Sequence, residues 1–306
     1  MKKIRENQSA PLLKKKRHLQ LGPYILLAPP TILVILFLAY PLIYVFRLSF
    51  YHYDLVKPWL TGFAGLDNFK SILGGKEFWS AFGISIKWVF WEVLLQLVVG
   101  LFTALILNQH FHARGFFRAL VFVPWAMSGV LTAVLWNLIY NQNIGILNDI
   151  LIRIGALEIG RAWVSNPVTA LPCLILAELW RGIPFFAISL LASMQNIPDE
   201  LYEAGDIDGC SKLQSLFYIT IPQLKETIIL STLMRTVNEF NSIDLIYSLT
   251  GGGPVGRTTT VSILLANNAT KSTNFGYGSA MSVICFLILS VFAVVYFKLT
   301  RFGKEN

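Results

Sequence analysis

The chain of 306 residues is 55% hydrophobic and only 14% charged, with a mean hydropathy of +0.59. A soluble globular domain carries about 25% charged residues, so this composition excludes that class and predicts several membrane-spanning segments. The net charge of +8 does not indicate a nucleic-acid partner. The basic residues cluster in the N-terminal tail and near the ends of apolar segments, as charges that set membrane topology do.

The N-terminal tail, residues 1–22, contains seven Lys or Arg residues and a single acid, Glu6. An uncharged apolar run follows from Pro23 to Phe46. This run is long enough to span a bilayer and lacks a small-residue cleavage site, so we predict an uncleaved first helix. The basic tail is then expected to lie in the cytoplasm.

Five further apolar segments have spanning length, at 79–107, 119–140, 168–194, 227–249 and 275–297. The connection at 141–167 has apolar residues at helical spacing, which predicts a short surface helix. The simplest topology has six spans with both termini inside, so the C-terminal tail, residues 301–306, is also cytoplasmic. In this topology 14 of the 25 Lys and Arg residues lie inside and 8 outside, in agreement with the positive-inside rule.

A long polar insert, residues 196–226, separates the fourth and fifth apolar segments. Pro198 and the acids after it suit the first turn of a helix, and Gly209 allows a bend before a second short helix. The insert is therefore either an amphipathic connector at the membrane surface or a docking surface. Its acidity is unusual for an inside loop, with five acids before Gly209: Asp199, Glu200, Glu203, Asp206 and Asp208.

The insert also contains a spaced motif. Glu203-Ala204-Gly205 is followed by three residues, Gly209, nine residues and then Ile219-Thr220-Ile221-Pro222. This order resembles the EAA motif of permease subunits of ATP-binding-cassette (ABC) importers, which reads EAA, three residues, G, nine residues, I, any residue, LP. Gly205 replaces the second alanine and Ile221 the leucine. We refer to residues 196–226 as the EAA loop.

The resemblance extends over residues 23–300. IPDELYEAGDIDG around the motif, RGFFRALVFVP at 114–124 and NSIDLIYSLTGGGPVGRTTT at 241–260 are similar to the carbohydrate-uptake group, in the branch of the larger maltose permease and the glycerol-3-phosphate permease. It implies an all-α polytopic membrane protein, the transmembrane domain of a type I importer in a bacterial or archaeal cytoplasmic membrane. An importer of glycerol 3-phosphate or of another polar solute is the alternative to a sugar importer.

The resemblance also implies partners. In that family the EAA loop docks on a separate ATPase dimer that binds ATP and Mg, and two permeases, commonly different chains, form the translocation path. An extracellular binding protein delivers the solute. The residues of this chain that the resemblance assigns to ATPase coupling are Glu203, Ala204, Gly205, Asp208, Gly209, Ile219 and Pro222.

Charged residues inside the apolar segments are candidates for the solute path. Each costs about 2.5–3.5 kcal/mol at the bilayer centre, so each should face protein or water. Glu178 and Arg181 are three residues apart on one helix and are predicted to pair. Lys87 and Glu92 are expected to snorkel toward the membrane surface. The candidate path residues, for which a helix-helix contact is the competing interpretation, are Arg235, Glu239, Asn241, Asp244, Tyr247 and Trp180.

Other patterns do not indicate a site. Residues 251–258 approach a phosphate-binding loop, but Arg257 stands where that motif requires Lys and no strand precedes it. His110 and His112 lack nearby ligands for a metal, and the three cysteines have no CxxC spacing. We expect no cofactor in this chain. An ion-coupled secondary transporter and a polytopic membrane enzyme remain as alternatives, although both leave the EAA spacing unexplained.

Overall fold

The computed structural model describes residues 21–300 and residue 302. The predicted basic tail therefore lies outside the described residues except for positions 21 and 22, and of the predicted C-terminal tail only Phe302 is described. The chain divides into two compact units, residues 1–45 and 46–306.

The described part of the first unit is helical throughout. Helix α1 (Leu21–Val34) continues through a π-helical turn (Ile35–Ala39) into α2 (Tyr40–Leu48), whose last three residues belong to the second unit. The stretch Leu26–Leu48 is long and apolar enough to cross a membrane, and none of the residues in its most apolar part is buried. The predicted first span is confirmed as a helix of spanning length.

The second unit begins with a small irregular region. Strand β1 (Tyr51–His52) pairs antiparallel with β2 (Gly62–Phe63) around a 3₁₀ turn (Pro58–Leu60). Asn68, at the start of helix α3 (Asp67–Gly74), is buried and donates to the carbonyls of Ser49 and Tyr51 at 3.1 and 3.0 Å. These bonds connect α3 to the start of the unit.

Three long helices confirm predicted spans: α4 (Lys76–Asn108), α8 (Ala170–Met194) and α15 (Phe275–Thr300). Helices α4 and α8 pack closely because Gly100 has no side chain, and a Cβ there would lie 2.5 Å from the Cβ of Phe186. The core contains Trp88 and Phe186, both fully buried. Within the described residues four helices are long and apolar enough to cross a membrane, or five with one bent pair.

The prediction of one continuous span at 119–140 is wrong. Helix α5 (Arg114–Phe122) and a 3₁₀ turn (Pro124–Ala126) form an angle of 98° with α6 (Gly129–Ile139). Pro124 has no backbone N–H to continue the first helix. Ser128 then starts the second one, because its hydroxyl accepts a hydrogen bond from the backbone N–H of Leu131 at 3.3 Å.

The prediction of one continuous span at 227–249 is also wrong. Helix α12 (Lys225–Phe240) ends before Asn241, and the short helix α13 (Asp244–Leu249) follows. The carbonyl of Phe240, which lacks a helical partner at this end, accepts a hydrogen bond of 2.6 Å from the hydroxyl of Ser262. The break is therefore stabilised by a residue distant in sequence.

Shorter helices complete the unit. The connection between α6 and α8 contains α7 (Ile146–Arg153), which confirms the predicted surface helix in that region. Helix α14 (Val261–Asn267) and a π-helical turn (Asn268–Ser272) precede α15. The EAA loop contains α9 (Asp199–Ile207), α10 (Lys212–Ser215), a π-helical turn (Leu216–Thr220) and α11 (Ile221–Gln223).

Candidate coupling surface and solute path

The EAA loop has the predicted form of two short helices joined at Gly209. Helix α9 ends two residues before this glycine, whose φ of +79° lies in the left-handed region that favours glycine. Helix α10 starts with a capping box, in which Ser211 and Gln214 each bond the backbone N–H of the other. The turn is therefore specified by local sequence.

The two halves of the EAA loop pack against each other through the motif residues. Gly205 is buried, and a Cβ added there would lie 2.8 Å from Cδ1 of Ile219. The hydroxyls of Tyr202 and Thr220 are 3.1 Å apart and share a hydrogen bond. Glycine at the position of the second alanine of the motif thus makes room for the terminal methyl group of Ile219.

The outer surface of the EAA loop has no partner among the described residues. All five acids are exposed, and none forms an ion pair within the described part of the chain. Ala204, Gly209 and Pro222 are exposed as well. Large apolar side chains are exposed among the acids, namely Ile207, Leu213, Phe217 and Tyr218. A surface that combines acidic groups with large apolar side chains is better suited to contact with another protein than to full exposure to water.

The EAA loop connects α8, which is long enough to span a membrane, with α12. Near the loop, the hydroxyl of Thr227 on α12 donates to that of Ser193 on α8 at 2.9 Å. Further along both helices, Nη2 of Arg235 on α12 lies 3.0 Å from Oε1 of Glu178 on α8. Two polar bonds at different depths therefore connect the helices that flank the loop.

Arg235 is the centre of a buried ion cluster. Its Nη2 also lies 2.7 Å from Oε1 of Glu239, one turn along the same helix, and its Nε donates to Oε1 of Gln96 on α4 at 2.6 Å. Gln96 in turn donates to Oε2 of Glu92 at 2.8 Å. The buried ion cluster thus connects three helices, and its members are Glu92, Gln96, Glu178, Arg181, Arg235 and Glu239.

Close helix packing makes the buried ion cluster possible. Gly182 lies against the side-chain amide of Gln96, with no space for a Cβ between them. Trp88 donates its indole N–H to the backbone carbonyl of Glu239 at 3.2 Å. The expectation that Glu92 snorkels is wrong, because its side chain is fully buried, whereas Lys87 is exposed. Oε1 of Glu92 and Oε2 of Glu239 have no hydrogen-bond partner in the described part of the chain.

The predicted pair on α8 is confirmed. Arg181 donates from Nε to Oε2 of Glu178 at 2.9 Å and from Nη2 to Oε1 at 2.7 Å. Its guanidinium is partly exposed, at 22%, whereas Glu178 is fully buried. Asp244 lies within electrostatic range of Arg181. Arg181, which is not among the predicted path residues, therefore lies at the partly exposed edge of the buried ion cluster.

The structure brings only some of the candidate path residues together. Arg235 and Glu239 are in the buried ion cluster, whereas Asn241, Asp244 and Tyr247 are exposed at or after the break between α12 and α13. The amide of Asn241 donates to the carbonyl of Val237 at 2.8 Å. The first turn of α6 approaches α13 closely, since a Cβ at Gly129 would lie 2.9 Å from that of Asp244.

The remaining candidate, Trp180, belongs to an aromatic group. Its ring meets that of Trp136 edge to face at 6.3 Å, and Trp136 lies 5.2 Å from Tyr140. The indole N–H of Trp136 is buried and has no hydrogen-bond partner within residues 21–300 and 302. This aromatic group therefore packs the C-terminal end of α6 against α8.

Several helices long enough to span a membrane, one of them followed by an exposed acidic loop of EAA spacing, are the features expected of the transmembrane subunit of an importer. Residues 96–302 match the family described as the binding-protein-dependent transport system inner membrane component. The chain belongs to this family. It is therefore a multi-pass membrane component of a transport system that depends on a binding protein.

Individual relatives agree with this assignment. The chain is 37% identical to the trehalose/maltose transport system permease protein MalF of Thermococcus litoralis, over 95% of this chain and 97% of that protein. It is 31% identical to the sulfoquinovosyl glycerol transport system permease protein SmoG of Agrobacterium fabrum, over 90% and 89%. It shares its fold, at a TM-score of 0.80 and 21% identity, with a bacterial ABC transporter for alginate import, over 92% of this chain and 96% of that chain.

Proposed function

We propose that this chain forms part of the translocation path of an ABC importer for an uncharged sugar or oligosaccharide. The names of relatives for trehalose and maltose support a sugar. One observation carries the mechanism: the two helices that flank the exposed EAA loop are bonded to each other inside the membrane domain, through Arg235 and Glu178. A displacement of the loop would therefore reach the middle of the membrane through both helices together.

The energy would come from a partner. A dimer of separate ATPase subunits binds ATP and Mg, and this chain contributes no cofactor of its own. The docking residues are Glu203, Ala204, Gly205, Asp208, Gly209, Ile219 and Pro222. Closure of the ATPase dimer displaces the EAA loop, and α8 and α12 then switch the path between inward and outward access.

The remaining partners follow from the same proposal. A second permease, a different chain, completes the path, and an extracellular solute-binding protein delivers the solute. The subunit crosses the cytoplasmic membrane of a bacterium or archaeon within the lipid bilayer, with both termini in the cytoplasm. In this orientation the acids of the EAA loop face the compartment that contains ATP.

The residues proposed to contact the solute are Asn241, Asp244, Tyr247 and Trp180. The other two candidates, Arg235 and Glu239, are buried in helix-helix contacts of the buried ion cluster, beside this path. The formal charge of this region favours an uncharged solute. The buried ion cluster has three carboxylates, Glu92, Glu178 and Glu239, against two guanidinium groups, and the nearby Asp244 adds a fourth carboxylate. A phosphorylated solute such as glycerol 3-phosphate would meet excess negative charge, whereas sugar hydroxyls can bond carboxylates and amides alike.

The test is uptake by the complete importer in proteoliposomes with ATP on the ATPase side. Labelled trehalose, maltose and glycerol 3-phosphate are compared, each with the binding protein that retains it. We expect ATP-dependent accumulation of a neutral sugar and no accumulation of glycerol 3-phosphate. Accumulation of the phosphorylated solute alone would contradict the proposed solute class, and uptake of any solute without ATP would contradict the proposed energy source.

A further inference from the structure

The connection between α6 and α8, residues 140–169, lies at the opposite end of α8 from the EAA loop. The 25 residues of α8 correspond to a length of about 38 Å, which is enough to cross the hydrocarbon core of a bilayer. Under the proposed function the EAA loop faces the cytoplasm. Residues 140–169 then face the side from which a solute-binding protein approaches.

This connection is held together by one buried side chain. Asn148 is 2% exposed, and its amide nitrogen donates to the carbonyls of Asn141, Gln142 and Arg161 at 3.0–3.3 Å. Its carbonyl oxygen accepts from the backbone N–H of Arg161 at 3.1 Å and the indole N–H of Trp163 at 2.8 Å. Residues before and after α7 are thereby fixed to each other.

Further bonds rigidify the same region. The hydroxyl of Thr169 donates to the carbonyl of Trp163 at 2.5 Å, and the amide of Gln142 donates to the carbonyl of Gly160 at 3.2 Å. Gly160 packs so closely on the backbone of Gln142 that a Cβ would collide with its carbonyl oxygen. A segment without long helices is thus preorganised, which lowers the entropic cost of binding a partner.

The fixed backbone surrounds an open cavity of about 480 Å³. Its polar lining includes Gln142, Arg161, Ser165 and Asn166, and Trp163 contributes an aromatic ring. Arg161 is the only charged residue of the lining, and its guanidinium is exposed and forms no ion pair among the described residues. Elsewhere in this connection, Ile144, Ile159 and Val168 are about 80% exposed.

We propose that this cavity receives an acidic side chain of the solute-binding protein, with Arg161 as its charge partner. Arginine and tryptophan are enriched among the residues that dominate protein interfaces, and a guanidinium can bond a carboxylate with two parallel hydrogen bonds. The exposed aliphatic side chains supply apolar contact area at the same interface. The inference rests on the proposed function, because it assigns the contact surface for a partner of that importer.

The experiment compares Arg161→Glu with Arg153→Glu in the complete importer reconstituted in nanodiscs. Arg153 is an exposed arginine of the same connection, but it pairs with Asp149 at 2.9 Å and does not line the cavity. The titrant is the solute-loaded binding protein that stimulates ATP hydrolysis by the unmutated importer. The measured quantity is its concentration at half-maximal stimulation, at low and at physiological salt.

For Arg161→Glu we expect the half-maximal concentration to rise at least tenfold, with unchanged basal and maximal hydrolysis and a weaker dependence on salt. Arg153→Glu should stay within twofold of the unmutated importer. Ala162→Trp, which fills the cavity, should also raise the half-maximal concentration at least tenfold.

A half-maximal concentration within twofold for both cavity variants would overturn the inference. If the variants changed solute uptake without changing this concentration, the cavity would bind solute instead, and the inference would again be wrong. The proposed function fails separately, when no solute-loaded binding protein stimulates ATP hydrolysis by the unmutated importer.

Discussion

The EAA loop and the buried ion cluster are both rich in carboxylates, but these groups are exposed in the loop and buried in the cluster. The five acids of the EAA loop are exposed and form no ion pair within the described residues, whereas the cluster places Glu178 and Glu239 against Arg235 with almost no exposure. The loop acids are therefore available to a partner subunit. The cluster acids are already occupied by helices of this chain.

The difference in exposure indicates that the two groups of acids have different roles. An exposed acid adds little to folding stability, so we interpret the acids of the EAA loop as groups for recognition of a partner. A buried ion pair costs desolvation energy, and its net benefit is specificity of packing more than stability. Because the cluster bonds α8 to α12 and α4, we interpret it as the joint that makes the helices around the EAA loop respond together.

The largest expected effect comes from breaking the buried ion cluster. In Arg235→Met, Glu178 keeps its ion pair with Arg181, whereas Glu239 loses its ion pair. An uncompensated buried charge of this kind costs about 3–5 kcal/mol. We expect the apparent melting temperature of the purified protein in detergent to fall by about 10 °C. The measurement is fluorescence-detected size exclusion after heating.

The control for this prediction is Arg235→Met combined with Glu239→Met. Removal of both partners on α12 eliminates the unpaired carboxylate, so the double variant should recover part of the lost stability. If the single variant melts within 2 °C of the unmutated protein, the ion pairs do not hold these helices together.

The second effect concerns the bend of the EAA loop. Gly209→Val places a β-branched residue at a φ of +79°, where such residues are strained, so the turn should distort and uptake should fall at least fivefold. Gly209→Asn is the matched control, because asparagine tolerates the left-handed region. Apart from the two neighbouring residues, no described residue has an atom within 4 Å of a Cβ at this position. Equal loss in both variants would therefore indicate a contact with the partner and would contradict the conformational explanation.

The third effect tests the contact between Gly205 and Ile219. Gly205→Ala restores the alanine of the motif but brings its Cβ within 2.8 Å of Cδ1 of Ile219. Because that methyl group is the flexible end of the side chain, the overpacking cost is at the low end, about 1 kcal/mol. Ile219→Val removes that methyl group. We expect the double variant to be more stable than Gly205→Ala alone, as measured by thermal unfolding, and additive losses would contradict the coupling.

The smallest effect is expected from a covalent bond between the two helices that flank the loop. Ser193→Cys with Thr227→Cys, in a background without Cys173, Cys210 and Cys285, should form a disulfide because the two native hydroxyls are 2.9 Å apart. If α8 and α12 move together, the oxidised protein should keep uptake within twofold of the reduced protein. Loss of uptake that a reductant reverses, or failure of the disulfide to form, would contradict their concerted motion.

The two regions also differ in how far the sequence predicts them. The EAA loop follows from local signals, since the motif spacing, the glycine at 209 and the acids near the start of α9 all lie within thirty residues. The same local logic predicts the Glu178–Arg181 pair. The assignment of seven loop residues to ATPase coupling stays a prediction.

The buried ion cluster could not be predicted in the same way. Arg235 bonds Gln96, 139 residues earlier in the chain, and one sequence contains no signal for such a pairing. Glu92 lies among aromatic and aliphatic residues of a long helix. This local sequence does not distinguish a buried carboxylate from one that extends to the membrane surface. The sequence does not reveal the breaks at 127–128 and 241–243, because apolar residues continue on both sides. Ser128 and the distant Ser262 stabilise the helix ends there.

The central claim is that force from ATP hydrolysis enters through the EAA loop. The most direct measurement is the number of solute molecules imported per ATP hydrolysed by the complete importer with Glu203→Lys. Glu158→Lys, the same change at an exposed acid of the outer connection, is the control. We predict that this ratio falls at least tenfold with Glu203→Lys, with unchanged melting temperature and amount in the membrane, and stays within twofold with Glu158→Lys. Normal uptake and normal stimulation of ATP hydrolysis in the Glu203→Lys variant would contradict the claim.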